Sequence, residues 1–163
     1  MTTIATWNAE RAAEIVALRI GRTGGTAAAA ILLPVLHDLQ AEFGHIPDDA
    51  IPLVAHALNL SRADVHGVAT FYHDFRRTPP GRHVVKLCRA EACQAMGGER
   101  LAENLRARLK IDWGETTADG NVTLEPVFCL GLCACAPAAL IDGKVAGRLD
   151  EHKLDAALAK VKP

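Results

Sequence analysis

The hydrophobic period of this chain changes once, and the change divides it in two. Over Ala9 to Ile20 the apolar residues Ala12, Ile15, Val16 and Ile20 recur at helical spacing. Gly24-Gly25 breaks the pattern. The stretch Gly21 to Thr26 reads as a helix–helix linker, because it has glycines but neither the spacing nor the lysine of a phosphate-binding loop. Thr26 is placed to cap a second helix running to about Phe43 on a stripe of Ile31, Leu32, Val35, Leu36, Leu39 and Phe43. Pro34 falls inside that stripe. It either kinks the helix or marks its true start, since proline lacks the amide and crowds the preceding turn. Gly44 closes the helix. Asp48 or Asp49 can cap a third helix reaching about Leu58. Ser61 with Asp64 resembles a capping box, Asp standing for the usual Glu, and opens a fourth helix to about Tyr72.

Pro79-Pro80-Gly81 is the expected boundary, with a helical domain over 1–80 and a second domain over 81–163. Beyond it, Arg82 to Leu87 reads as a strand that delivers Cys88 at its end. Gly97-Gly98 precedes an amphipathic helix with Leu101, Leu105 and Leu109 at successive i+4 positions. Trp113 to Thr117 and Asn121 to Phe128 flank the turn Ala118-Asp119-Gly120 and predict a hairpin. Ala138 to Ile141 and Lys144 to Ala146 flank Asp142-Gly143 and predict another. Asp150 is expected to cap a last helix through Leu154, Leu158 and Val161. The predicted class is α+β: a helical bundle segment, then a small layer in which helices pack on a sheet.

Composition narrows the function more than the fold. Half of the 163 residues are hydrophobic but only 4% are aromatic, so the core rests on Leu, Val, Ile and Ala. The formal charge of −1 lacks the basic excess of a nucleic-acid binder. Met1 to Asn8 has neither a basic nor an apolar leader pattern. The longest near-continuous apolar run, Ala27 to Leu36, falls well short of the ~20 residues of a membrane span. These features predict a cytoplasmic protein without direct membrane insertion, where a five-cysteine pattern points to metal or redox chemistry rather than structural disulfides.

That chemistry gathers in the second half. Cys88-x4-Cys93 and Cys129-x3-Cys133 are two tight pairs with 35 residues between them, room for a helix and returning strands; Cys135 makes the count odd. Each pair sits in a loop that leaves a strand. If the two strands are neighbours, the loops meet at one end of the sheet, and four converging thiolates are what a [2Fe–2S] cluster needs. A lone cysteine is most often a small buried hydrophobe, which fits one of the five and not two spaced pairs. Structural zinc also takes four cysteines, but zinc ribbons show C-x2-C knuckles. A thiol oxidoreductase would carry C-x-x-C, whereas Cys133-Ala-Cys135 is C-x-C. Gly97-Gly98 is placed to lend backbone amides to a negative cluster, and Lys86, Arg89 and Arg100 to add positive potential. His66 and His73, seven apart, have no third ligand near them in sequence, and His37, His45 and His56 are scattered likewise. Ala136-Pro137 is expected trans, as about 95% of X–Pro bonds are.

Cys88-Arg-Ala-Glu-Ala-Cys93 and Cys129-Leu-Gly-Leu-Cys133, followed by Ala136-Pro137, resemble the thioredoxin-like [2Fe–2S] ferredoxins. Upstream, Leu33-Pro34-Val35-Leu36-His37, Phe43-Gly44-His45-Ile46-Pro47 and Val65-His66-Gly67-Val68-Ala69-Thr70-Phe71-Tyr72 are similar to the helical region of the small subunit of the NADH-dehydrogenase module of respiratory complex I. The resemblance implies a thioredoxin-like domain after the helical segment. It implies a [2Fe–2S] cluster on Cys88, Cys93, Cys129 and Cys133; Cys135 lies outside that ligand pattern and reads as a filler beside the cluster, the alternative being a substitute ligand for Cys133. It also implies an electron-transfer subunit, non-catalytic by itself, beside a partner subunit that carries FMN and the NAD site. Cys88 to Gly97 and Ala134-Cys135 look most like the gamma subunit of soluble NAD-dependent molybdenum formate dehydrogenases, which brings a larger iron–sulfur and molybdenum catalytic subunit as a further expected partner. The alternatives are the equivalent subunit of complex I or of the diaphorase part of an NAD-linked hydrogenase.

Overall fold

The computed structural model describes residues 5–24 and 28–159, so the expected cap at Thr26 and the contact of Val161 lie outside the described residues. The chain divides into two compact units between Pro79 and Pro80. The first is helical. Helix α1 (Ala9–Arg22) starts at Asn8, whose side-chain oxygen accepts the Arg11 N–H at 2.8 Å. Helix α2 (Ala28–Phe43) contains Pro34 in its interior, which rules out the alternative that Pro34 marks the start. Asp49 occupies the cap position of α3 (Ala50–Leu58) but its side chain makes no cap bond, and Asp48 instead pairs with Arg77. The expected box at α4 (Arg62–Phe71) is complete, with Ser61 and Asp64 each bonding the other's backbone. Ala12, Val16, Leu36, Leu39, Phe43, Val54 and Val65 close a core from all four helices, and Trp7 packs edge-on against Phe43.

The second unit holds a four-stranded sheet of order β2-β1-β3-β4, with β1 His83–Cys88, β2 Val122–Val127, β3 Ala139–Ile141 and β4 Lys144–Ala146. β1 and β2 are parallel, and the other pairs are antiparallel. A parallel pair needs a long crossover. Here it contains a short helix α5 (Glu91–Cys93), a kinked turn Gln94–Gly98 and helix α6 (Glu99–Leu109). Val85 and Leu87 of β1 join Leu124 of β2, Leu101 and Leu105 of α6, and Leu154 and Leu158 of α7 (Glu151–Ala159) in a second core. Asp150 caps α7 by accepting the Lys153 N–H at 2.7 Å.

Two local expectations differ. Trp113 to Thr117 forms a single bridge, Thr116 to Thr123, rather than a strand. Gly114 at φ +80° and the turn bond from Glu115 N–H to the Asp112 carbonyl coil the segment, which still exchanges backbone bonds with β2 through Gly114, Glu115 and Thr117. The Ala136–Pro137 peptide is cis.

Candidate metal centre

The register of the parallel pair places the cysteines. The last residue of β1, Cys88, stands opposite the last residue of β2, Val127, so both cysteine loops leave the same end of the sheet side by side. Two backbone bonds hold Cys88 there. Its own N–H donates to the Ala138 carbonyl at 3.0 Å, and the next N–H, of Arg89, donates to Val127 at 2.7 Å. The chain then turns through α5 and brings Cys93 back to Cys88. Both thiols are buried, with Ala138, Val127, Leu130, Leu132 and Ala136 packed around them. Leu130 and Leu132 come from between Cys129 and Cys133, so the second loop closes over the first pair. Cys129 and Cys133 are themselves exposed. The four thiols thus divide into an inner pair and an outer pair.

Burial pushes the Cys93 thiol up from its ordinary value. Its hydrogen bond to Cys88 and the proximity of Cys88 and Cys133 add to the rise, and a backbone bond from Ala138 opposes it. Several thiolates this close repel one another, and cations bound between them relieve that repulsion. A donor is already in place on the outer side: the Gly131 N–H points to the Cys129 Sγ at 3.3 Å. Among the described residues no three His, Cys, Asp or Glu side chains are placed to hold one ion. A [2Fe–2S] core asks for two thiolates on each of two irons, and the donor set here, four thiols in two pairs with a backbone donor to sulfur, suits it.

Gly97-Gly98 serves this site through close packing. The two glycines end the kinked turn that joins α5 to α6, with the backbone leaving helical values at Met96 and Gly97. Gly97 takes φ +88° to turn the chain, and a Cβ on Gly98 would stand 2.5 Å from the Cys93 carbonyl oxygen. Glycine is required so that α6 can begin against the backbone of Cys93. Two of the three expected positive side chains have acidic partners. Lys86 pairs with Glu125 at 3.3 Å and Arg89 with Glu99 at 2.6 Å, while Arg100 lines an open groove with Met96, Asp150 and His152.

Cys135 closes a 3-10 turn that starts at Cys133. Its carbonyl accepts the Arg148 N–H at 2.6 Å, and a Cβ on Gly147 would meet the Cys135 Cβ at 2.9 Å. Cys135 is therefore packed against the segment that follows β4. Among the histidines, His45 bonds the Phe43 carbonyl, His37 lies against Phe75, and His83 meets Asp142 at 2.8 Å. Sequence reasoning missed the Gly131 donor and the packing of Leu130 and Leu132; the alternation of apolar residues with glycine between the second pair of cysteines was the available signal.

The family model described as thioredoxin-like [2Fe–2S] ferredoxin matches residues 19–162. A subunit of the NADH-quinone oxidoreductase of Pseudomonas aeruginosa is 42% identical over 71% of this chain and 69% of its own length. The NADP-reducing hydrogenase subunit HndA of Solidesulfovibrio fructosivorans is 33% identical over 79% of this chain and 75% of its own. Among solved structures, a chain of the NAD+-reducing [NiFe]-hydrogenase in the air-oxidised state superposes with a TM-score of 0.69 at 31% identity, covering 80% of this chain. This chain spans 22% of that hydrogenase chain.

Proposed function

We propose, because this chain belongs to the thioredoxin-like [2Fe–2S] ferredoxin family, that it is the electron-transfer subunit of an NAD-linked oxidoreductase complex, with the cluster held by Cys88, Cys93, Cys129 and Cys133. The observation that carries the ligand set is the β1–β2 register, from which both cysteine-bearing loops leave one end of the sheet. When bound, a [2Fe–2S] cluster takes up and gives back one electron at a time. The chain's own residues supply the rest. Cys88 and Cys93 form a buried floor, Leu130 and Leu132 cover it, and Cys129 and Cys133 face outward. The Gly131 N–H steadies negative charge on the Cys129 sulfur. An outward-facing pair of thiols suits electron exchange with a neighbour, and the exposed Met96 and Phe128 flank the two loops in sequence.

The expected neighbour is a subunit that binds FMN and NAD. Exposed apolar residues on the helical unit, Leu18, Phe71 and Tyr72, support docking against a partner. Among the described residues no helix is long and apolar enough to cross a membrane. The named relatives favour a parent complex of the NADH-quinone oxidoreductase or NAD-reducing hydrogenase kind. The formate dehydrogenase reading keeps its own support in Cys88 to Gly97 and Ala134-Cys135.

Purification from the native source tests both levels. Iron and acid-labile sulfide in equal amounts, with an axial EPR signal that appears on reduction, is the expected result. A colourless protein containing zinc, or one that reduces disulfides, would sink the reading. Partners that co-purify then sort the parents: a nickel subunit, a quinone-reducing membrane complex, or a molybdenum subunit.

A further inference from the structure

We propose that Arg89 and Glu99 form a charge pair that tunes the reduction potential of the cluster, with Trp113 as the platform that positions the cation. This rests on Cys88 and Cys93 being ligands. Arg89 directly follows the inner thiol Cys88, and its backbone is fixed by the 2.7 Å bond to Val127. Its guanidinium lies 5.0 Å from the Trp113 ring centroid and donates to the Glu99 carboxylate at 2.6 Å. The Arg89 side chain is only 19% exposed, and its Nε has no hydrogen-bond partner among the described residues. Glu99 in turn follows Gly98, which packs on the carbonyl of the other inner thiol, Cys93. A positive and a negative charge are thereby anchored close in the chain to the two buried ligands. A second arginine, Arg106, lies 5.8 Å from the same ring and pairs with Asp112 at 2.8 Å, so the platform is itself braced.

Reduction adds a negative charge to the cluster. A nearby cation favours that state and a nearby anion opposes it, and both act more strongly where water is scarce. Arg89 therefore raises the potential, and Glu99 holds it in place while offsetting part of its field. A purely mechanical clamp between β1 and α6 would leave the potential alone and lower only stability and cluster content.

The test is the midpoint potential of the full chain, by redox titration followed by EPR. Arg89→Gln should shift it to more negative values and Glu99→Gln to more positive ones. The double variant should return toward wild type, and Arg89→Lys should stay close to it. Should Arg89→Gln fail to retain the cluster, Glu99→Gln, a change at a half-exposed residue, decides alone. An unmoved potential in cluster-bearing variants, or shifts of the same sign in both, overturns the proposal. A wild-type protein with no cluster overturns instead the functional reading beneath it.

Discussion

Gly98 and Gly97 are neighbours with different reasons to be glycine, and substitution separates them. A methyl group on Gly98 would collide with backbone, at 2.5 Å from the Cys93 oxygen and 2.9 Å from its carbon, and neither atom can rotate away. Gly98→Ala is therefore expected to displace Cys93 and cut the iron and sulfide content of the purified protein several-fold. Among the described residues nothing lies within 4 Å of where a Gly97 Cβ would stand, and only a positive φ has to be satisfied. Gly97→Ala should cost about 1–2 kcal/mol of stability with the visible absorption unchanged. Cys133 and Cys135 divide in the same manner. Cys133 is exposed beside the outer loop, and Cys135 is packed on Gly147. Cys133→Ser should lose or disturb the cluster spectrum, and Cys135→Ser should leave it nearly intact; the reverse result would exchange their roles. The five cysteines and their two-pair grouping were readable from spacing alone. Which thiols are buried was not, because that depends on Leu130 and Leu132 folding across from a loop that begins 35 residues further on.

At the scale of elements, α7 offers a test of sign. Asp150 accepts the Lys153 N–H at the helix start, and that bond holds its carboxyl below the usual carboxylate range. A group whose folded pKa is depressed contributes stability above its unfolded value and loses it as pH falls through the folded one. The difference in urea midpoint between wild type and Asp150→Ala should thus be full at neutral pH and shrink as the pH drops below about 4. Far-UV circular dichroism reads it, and a difference that stays constant with pH would remove the cap from the account. The longer helices, β1 and the Asp142-Gly143 hairpin were legible from hydrophobic period and end signals, as the Ser61–Asp64 box shows for α4, whereas the short α5 and the cap of α3 were not. Trp113 to Thr117 was misread for a physical reason. Its alternation suits a strand and it does run back along the free edge of β2, but Gly114 and the turn bond from Glu115 to Asp112 coil it so that a single bridge forms. The commitment of Lys86 to Glu125 and of Arg89 to Glu99 was hidden likewise, since each partner lies on a different element.

On the scale of the whole molecule, the buried residues among those described fall into separate clusters, each drawn from one unit. One runs from Ala12 to Phe75; the others lie between Val85 and Leu158. Truncation in one core should therefore leave the other unit's signals in place. Leu39→Ala, at a fully buried position of α2, is expected to cost about 2–5 kcal/mol in the helical unit. The visible spectrum of the cluster should survive to the same denaturant concentration as in wild type. Leu105→Ala in α6 should instead lower the concentration at which that spectrum is lost. Equal loss of the spectrum in both variants would show that the two units unfold as one.

The parallel pairing of β1 with β2 also sets a clock. During synthesis β1 and the first two cysteines emerge early, but both neighbours of β1 in the sheet, β2 and β3, are still to be made. Non-local pairing of this kind waits for the intervening chain. A growing polypeptide thus presents Cys88 and Cys93 before Cys129 and Cys133, which follow 35 residues later. The two cysteine loops therefore come side by side only once β2 has joined β1.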